Sequence, residues 1–223
     1  MAHKEVDHGS RDVATVAFDY LFVTKKDVFT KGEWASEATR AEVEENALKV
    51  LVVRDLKSRS CFAHAVPQKG IDESGFVVNC IVEDIAWLGY SRVILKLDNE
   101  PAIVSVLKDT LKALKVEGLE QAVEEPPPPY DSQANGGIER GVGLVRGMLR
   151  TMQLSLETTI GFRVPTTHPI MTWLVSHSAD VSTQQVLGID GKLAYRRIRG
   201  RAFGGRTLAF AENCRYKLRS KKP

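Results

Sequence analysis

The chain has 223 residues, with 31 lysines and arginines against 28 aspartates and glutamates and a formal net charge of +3. Apolar residues make up 43% of it, ordinary for a globular protein, and at roughly 100–200 residues per domain the length predicts one domain or one with an appendage. No apolar run approaches the ~18 residues of a membrane span, the opening MAHKEVDHGSRD is too polar for a signal peptide, and membrane, fibrous and wholly disordered classes are excluded. Cys61, Cys80 and Cys214 stand far apart without a CxxC pair. A disulfide scaffold and a Cys-rich zinc site are therefore not expected, and reduced thiols in an intracellular protein are. His3 and His8 precede no cysteine pair and are not read as zinc ligands.

In chain order, Val13–Val23 is rich in β-branched and aromatic residues and reads as a strand. The polar stretch Lys25–Asn46 reads as an excursion with a short helix at Ser36–Glu45. Leu48–Val53 and Ser60–Val66 read as two strands joined by a turn at Asp55–Arg59, an antiparallel hairpin. Ser74 is the expected N-cap of a helix carrying Val78, Ile81, Ile85 and Leu88 at helical period and stopping at Gly89. Arg92–Asp98 is a short apolar strand ending on an acid. Asn99 then caps a helix with Pro101 in its first turn, and Gly118 ends that helix. Leu119–Val123 reads as a brief strand.

Glu124–Gly137 (EEPPPPYDSQANGG) breaks any helix. From Ile138 a long helix begins, with Val142, Val145, Leu149, Met152 and Leu156 on its apolar stripe. Ile170–Ala179 is expected to be helical around Trp173, which, like Trp87, is read as core, and Gly188–Gly191 as a turn. Residues 192–223 carry eleven basic side chains against the single acid Glu212. A basic tail behind a mildly acidic body suits an acidic partner, most commonly nucleic acid. Its closing KLRSKKP also reads as a nuclear signal, among other readings of such a tail.

Three acids stand out by position. Asp19 lies inside the first strand between Phe18 and Tyr20, Asp98 at the carboxyl end of the fourth, and Glu139 at the start of the long helix. Acids rarely occupy core strands unless paired or metal-bound, and α/β sheets place their sites at strand ends. Carboxylates are the donors that hard cations require, and two such ions ~3.5–4 Å apart suit phosphodiester displacement. Glu139, Gly143, Arg146, Arg150 and Gln153 share one helix face, where two arginines could grip a DNA backbone and Gly143 would let it approach. Asp55, a rival acid, is read as a solvated turn residue.

Leu97-Asp98-Asn99-Glu100, followed by Ser132-Gln133-Ala134-Asn135-Gly136-Gly137-Ile138-Glu139-Arg140, resembles the D…DN…S-x-x-N-G-x-x-E signature of retroviral and LTR-retrotransposon integrase catalytic cores. The resemblance covers roughly Val13 to Leu156. Trp173–His177 and Gly188–Gly200 are similar to the segment that follows the core in LTR-element polyproteins. The resemblance implies an RNase H-like α/β fold: a mixed five-stranded sheet flanked by helices over residues 10–157, and a helical and basic extension over 158–223. It implies a polynucleotidyl transferase that carries out 3′-end processing and strand transfer of element DNA into target DNA. Asp19, Asp98 and Glu139 would hold Mg²⁺ or Mn²⁺. Asn135 and Gly136 would form the mobile catalytic loop, and Arg140, Arg146 and Arg150 would contact DNA, with a homo-oligomer as the expected assembly. Two further readings stay open: a non-catalytic nucleic-acid-binding remnant of a retroelement polyprotein, and an RNase H-like nuclease.

Overall fold

The computed structural model describes residues 13–24, 28–30, 47–96, 101–125, 136–205 and 208–215. Six strands are described: β1 (Ala14–Val23), β2 (Val28–Thr30), β3 (Leu48–Asp55), β4 (Cys61–Val66), β5 (Arg92–Lys96) and β6 (Gln121–Glu125). Five helices accompany them: α1 (Phe76–Leu88), α2 (Pro101–Val116), α3 (Gly136–Ile160), α4 (Ile170–Gln185) and α5 (Ala194–Arg199). The sheet runs β4-β3-β1-β5-β6, with β2 paired to β1 off that path. β3 is antiparallel to β1 and β4 antiparallel to β3, whereas β5 and β6 run parallel to β1. This is the mixed α/β sheet that the strand and helix order implied.

The central strand is buried on both faces, and its period of two sorts its side chains into two cores. Val16, Phe18, Tyr20 and Phe22 pack with Val77, Ile81 and Ile85 of α1 and Ile103 and Leu107 of α2. Ala17, Leu21 and Val23 pack with Ile138, Val142, Val145 and Leu149 of α3 and Met171, Leu174 and Val175 of α4. The sheet is thus the middle of three layers, and the apolar stripe read on the long helix is the stripe that docks. In the first core, Tyr20 turns its hydroxyl to the loop after β4, where it accepts a 3.0 Å hydrogen bond from the Gly70 N–H.

Several local expectations need correction. Ser74 does not cap α1: the cap residue is Gly75, at φ 66°, and the Ser74 hydroxyl turns back to the Asp72 carboxylate. A left-handed backbone at the cap is open to glycine without strain, so the cap moved one residue on. Trp173 is 74% exposed, because the face of α4 that packs holds Met171, Leu174, Val175 and Ser178. Trp87 does lie against the first core. Asp55 is fully buried rather than solvated. It accepts hydrogen bonds from the Lys57 and Ser58 N–H groups and from the Tyr90 hydroxyl. β2 was not expected, and the helix read at Ser36–Glu45 and the Asn99 cap lie outside the described residues.

At the far edge, His64 of β4 meets Asp84 of α1 at 2.8 Å. Burial by itself would lower the His64 pKa, but its hydrogen bonds to Asp84 and Cys80 and the Asp84 charge outweigh that and push it up to about 10. Burial pushes Asp84 up to about 6 against the pull of His64, so at neutral pH the pair is imidazolium against carboxylate. A histidine whose folded pKa lies above its unfolded value stabilises fully below that unfolded value and loses the contribution as pH rises through the folded one. The wild type is therefore expected to exceed His64→Gln by about 1–3 kcal/mol near pH 7. That margin shrinks toward pH 10, as urea midpoints at the two pH values would measure.

Candidate active site

The site begins at an interruption in the pairing of β1. One edge of this strand is taken by β3 from Val16 to Val23. The other is shared: β5 pairs with Ala14 to Ala17, and β2 pairs with Leu21 to Val23. Asp19 falls in the interval between those two partners. Among the described residues no strand partner lies beside it there, since β5 ends at Lys96, and the carboxyl end of a parallel strand is where α/β sheets hold their sites. Asp19 is half-buried while its strand neighbours on both sides are buried. Its Oδ1 accepts a 2.7 Å hydrogen bond from the Tyr20 N–H, which helps fix the carboxylate.

The two-residue period puts Asp19 on the same side of the sheet as Ala17, Leu21 and Val23, the side covered by α3. Glu139 stands in the first turn of that helix and is exposed. The helix is oriented by two glycines. A Cβ on Gly137 would lie 2.8 Å from Leu56 Cδ2, and one on Gly141 would lie 2.6 Å from Arg54 Cδ. That flank of α3 therefore lies close against the end of β3 and the turn after it. At 100° per residue, Glu139, Gly143, Arg146 and Arg150 occupy the opposite flank, turned to the β5 side of β1, the side on which Asp19 has no strand partner among the described residues. Arg146 is half-buried; Arg140 and Arg150 are exposed.

Asp98 follows the last residue of β5 by two positions but lies, with Asn135, outside the described residues; Gly136 is the first residue of α3. Among the described residues no three acid, histidine or cysteine side chains gather as a metal site would require. Asp19 and Glu139 fit a hard cation chemically, since both are carboxylates on one side of the sheet.

Solved structures share this arrangement. The catalytic core domain of bovine immunodeficiency virus (BIV) integrase superposes with a TM-score of 0.53 at 16% identity, over 83% of this chain and 93% of that one. The chain of a simian T-cell lymphotropic virus intasome, solved with a regulatory subunit of protein phosphatase 2A, gives 0.54 at 16% identity, over 92% of this chain and 60% of that one. The HTLV-2 integrase catalytic core in complex with magnesium gives 0.50 at 14% identity, over 82% and 94%. The fold is that of a retroviral integrase catalytic core. No protein-family model and no curated protein sequence matches the chain.

Within this integrase-type fold, two site-side residues escaped sequence reasoning. Ala17 is flanked in register by Arg54 on β3 and Lys96 on β5, so both cations face the α3 side, one side-chain layer from Asp19. Lys96 is 5% exposed. Arg54 lies beneath Gly141, and its Nε and Nη1 have no hydrogen-bond partner among the described residues. Burial is the main reason that its pKa falls below the ordinary value, and Arg59 and Arg140 add to the effect. A cation inside each of two apolar strands was the available signal, but only the register reveals that the two share a row with Ala17.

Proposed function

We propose that the chain is a metal-dependent polynucleotidyl transferase of the integrase type, acting on element DNA ends and target DNA. The observation that carries this reading is Asp19, a carboxylate between the β5 and β2 partners of the central strand, on the side of the sheet that also carries Glu139. Asp19, Asp98 and Glu139 would hold Mg²⁺ or Mn²⁺ through oxygen donors. When bound, such ions polarise the phosphodiester and lower the pKa of the attacking water or 3′-hydroxyl.

The chain's own groups do the rest. The Tyr20 N–H holds one oxygen of Asp19. Arg146 and Arg150, on the Glu139 flank, grip backbone phosphates and register the scissile bond against the acids. Asn135, expected to bend around the DNA end, lies outside the described residues, and Gly136 opens α3 instead of a loop. In processing, water attacks a phosphodiester of the element end and the 3′-oxygen leaves as a 3′-hydroxyl; in joining, that 3′-hydroxyl attacks a target phosphodiester and the target strand's 3′-oxygen leaves. The working unit is a multimer of this chain, a reading supported by the intasome among its structural neighbours.

The test is a short labelled duplex incubated with the protein in Mg²⁺ or Mn²⁺. Trimmed and joined products are expected with either cation, and none after chelation with EDTA. Cleavage without joining would favour the nuclease reading. Duplex binding that falls steeply with salt, without any metal-dependent product, would leave the non-catalytic binder.

A further inference from the structure

We propose that Lys96 is a positioning residue of the carboxylate site, a built-in counter-cation that keeps the acids together in the absence of metal and weakens their hold on a divalent ion. This inference rests on the metal-binding reading of Asp19, Asp98 and Glu139. Lys96 ends β5 and is 5% exposed, and an ammonium is almost never so buried unless an anion accompanies it. Its row across the sheet is set by register: Glu125 of β6 on one side, Ala17 of β1 on the other, then Arg54 of β3. The row faces α3, because Ala17 packs into the core beneath that helix.

Two acids on that face lie within reach of Lys96. Glu125 is its direct cross-strand partner. Asp19, two residues beyond Ala17 on the same face, is its diagonal neighbour, at the roughly 7–8 Å separation that a long side chain spans. Lys96 therefore lies beside two acids on one face of the sheet, of which Asp19 is a carboxylate of the proposed site. Two or three acids held together repel one another, and a fixed positive charge in their floor relieves that repulsion. A divalent ion entering the site meets the same charge as an opponent. Metal affinity is thereby moderated, which favours exchange and product release.

The experiment measures Mn²⁺ binding to the full chain, by the free-ion signal in electron paramagnetic resonance, for wild type, Lys96→Gln, Lys96→Met, Lys96→Arg and Asp19→Asn. Removing the charge, with Gln or with the stem-preserving Met, is expected to tighten Mn²⁺ binding about tenfold or more, tenfold being the bulk-water scale for one unit charge several ångströms from a divalent ion. The same two variants are expected to melt at a lower temperature without metal and to gain more from added Mn²⁺. Lys96→Arg should keep wild-type affinity. A purely structural lysine would lower the melting temperature without tightening metal binding. Unchanged Mn²⁺ affinity in Lys96→Gln and Lys96→Met, with a wild type that binds in an Asp19-dependent manner, overturns the inference alone. A wild type that does not bind Mn²⁺, or binds it equally as Asp19→Asn, overturns the metal reading beneath it as well.

Discussion

Replacing Glu139 by Gln is expected to reduce metal-dependent trimming and joining by about 10²–10³-fold or more, the range seen when one preorganised charge-stabilising group is removed from an active site. Gln keeps the length and the hydrogen-bonding oxygen but lacks the anionic charge that a hard cation demands. The fold should survive the change. Glu139 is exposed and contributes nothing to either core, so the loss is limited to its interaction with the helix dipole in the first turn, about 0.3–1 kcal/mol. Duplex affinity should hold within about twofold, because Arg146 and Arg150 are untouched. The readouts are product on a denaturing gel and the melting temperature of the same preparation. Equal product from wild type and variant would remove Glu139 from the mechanism, whatever the fold.

A second large effect is expected where no chemistry occurs. Asp55 is fully buried at the end of β3. Its Oδ1 receives the Lys57 N–H at 3.1 Å, and its Oδ2 receives the Ser58 N–H at 2.9 Å and the Tyr90 hydroxyl at 2.7 Å. Arg59, at φ 69°, follows in the same turn, so the acid holds a tight reversal in place. Asp55→Ala strands three donors at once, the Ser58 N–H buried and the Lys57 N–H and Tyr90 hydroxyl partly so. At about 1–3 kcal/mol for each orphaned group, partly recovered by relaxation, the change should cost about 3–5 kcal/mol, a large share of the stability of a typical domain. Melting temperature should fall by about 10 °C or more. Asp55→Asn, which keeps one acceptor, should fall between, and Tyr90→Phe should cost about 1 kcal/mol. A loss below about 1 kcal/mol for Asp55→Ala would mean that water replaces the carboxylate and that the turn does not depend on it.

The contrast between these two acids shows what a linear sequence conveys. Asp19 and Glu139 could be singled out because an acid in an apolar strand and an acid opening an amphipathic helix break local patterns. The helix stripe of Ile138, Val142, Val145 and Leu149 was equally plain, since a period near 3.6 is written in the spacing itself. Asp55 was misread because the same residue type serves both a solvated turn and a buried one. What separates the two is Tyr90, thirty-five positions away. Trp173 was misread because α4 has two possible apolar faces, and the sheet chose the other. Register is the largest omission. Nothing local tells that Lys96 and Arg54 flank Ala17, or that β2 takes over the strand edge that β5 relinquishes.

The edge strand β4 points to a practical outcome. Its outward backbone is not left bare: the Cys61 N–H donates to Thr183 Oγ1, the Thr183 hydroxyl donates back to the Cys61 carbonyl, and the Ser176 hydroxyl donates to the Ala63 carbonyl. All of these side chains come from α4. A shortened fragment ending soon after α3 would uncover a ready template for strand addition, and such fragments should precipitate or self-associate during expression. Preparations that run through α5 would keep that seam closed, since Arg197 there reaches back 2.9 Å to the Ser58 carbonyl and staples the returning chain to the hairpin.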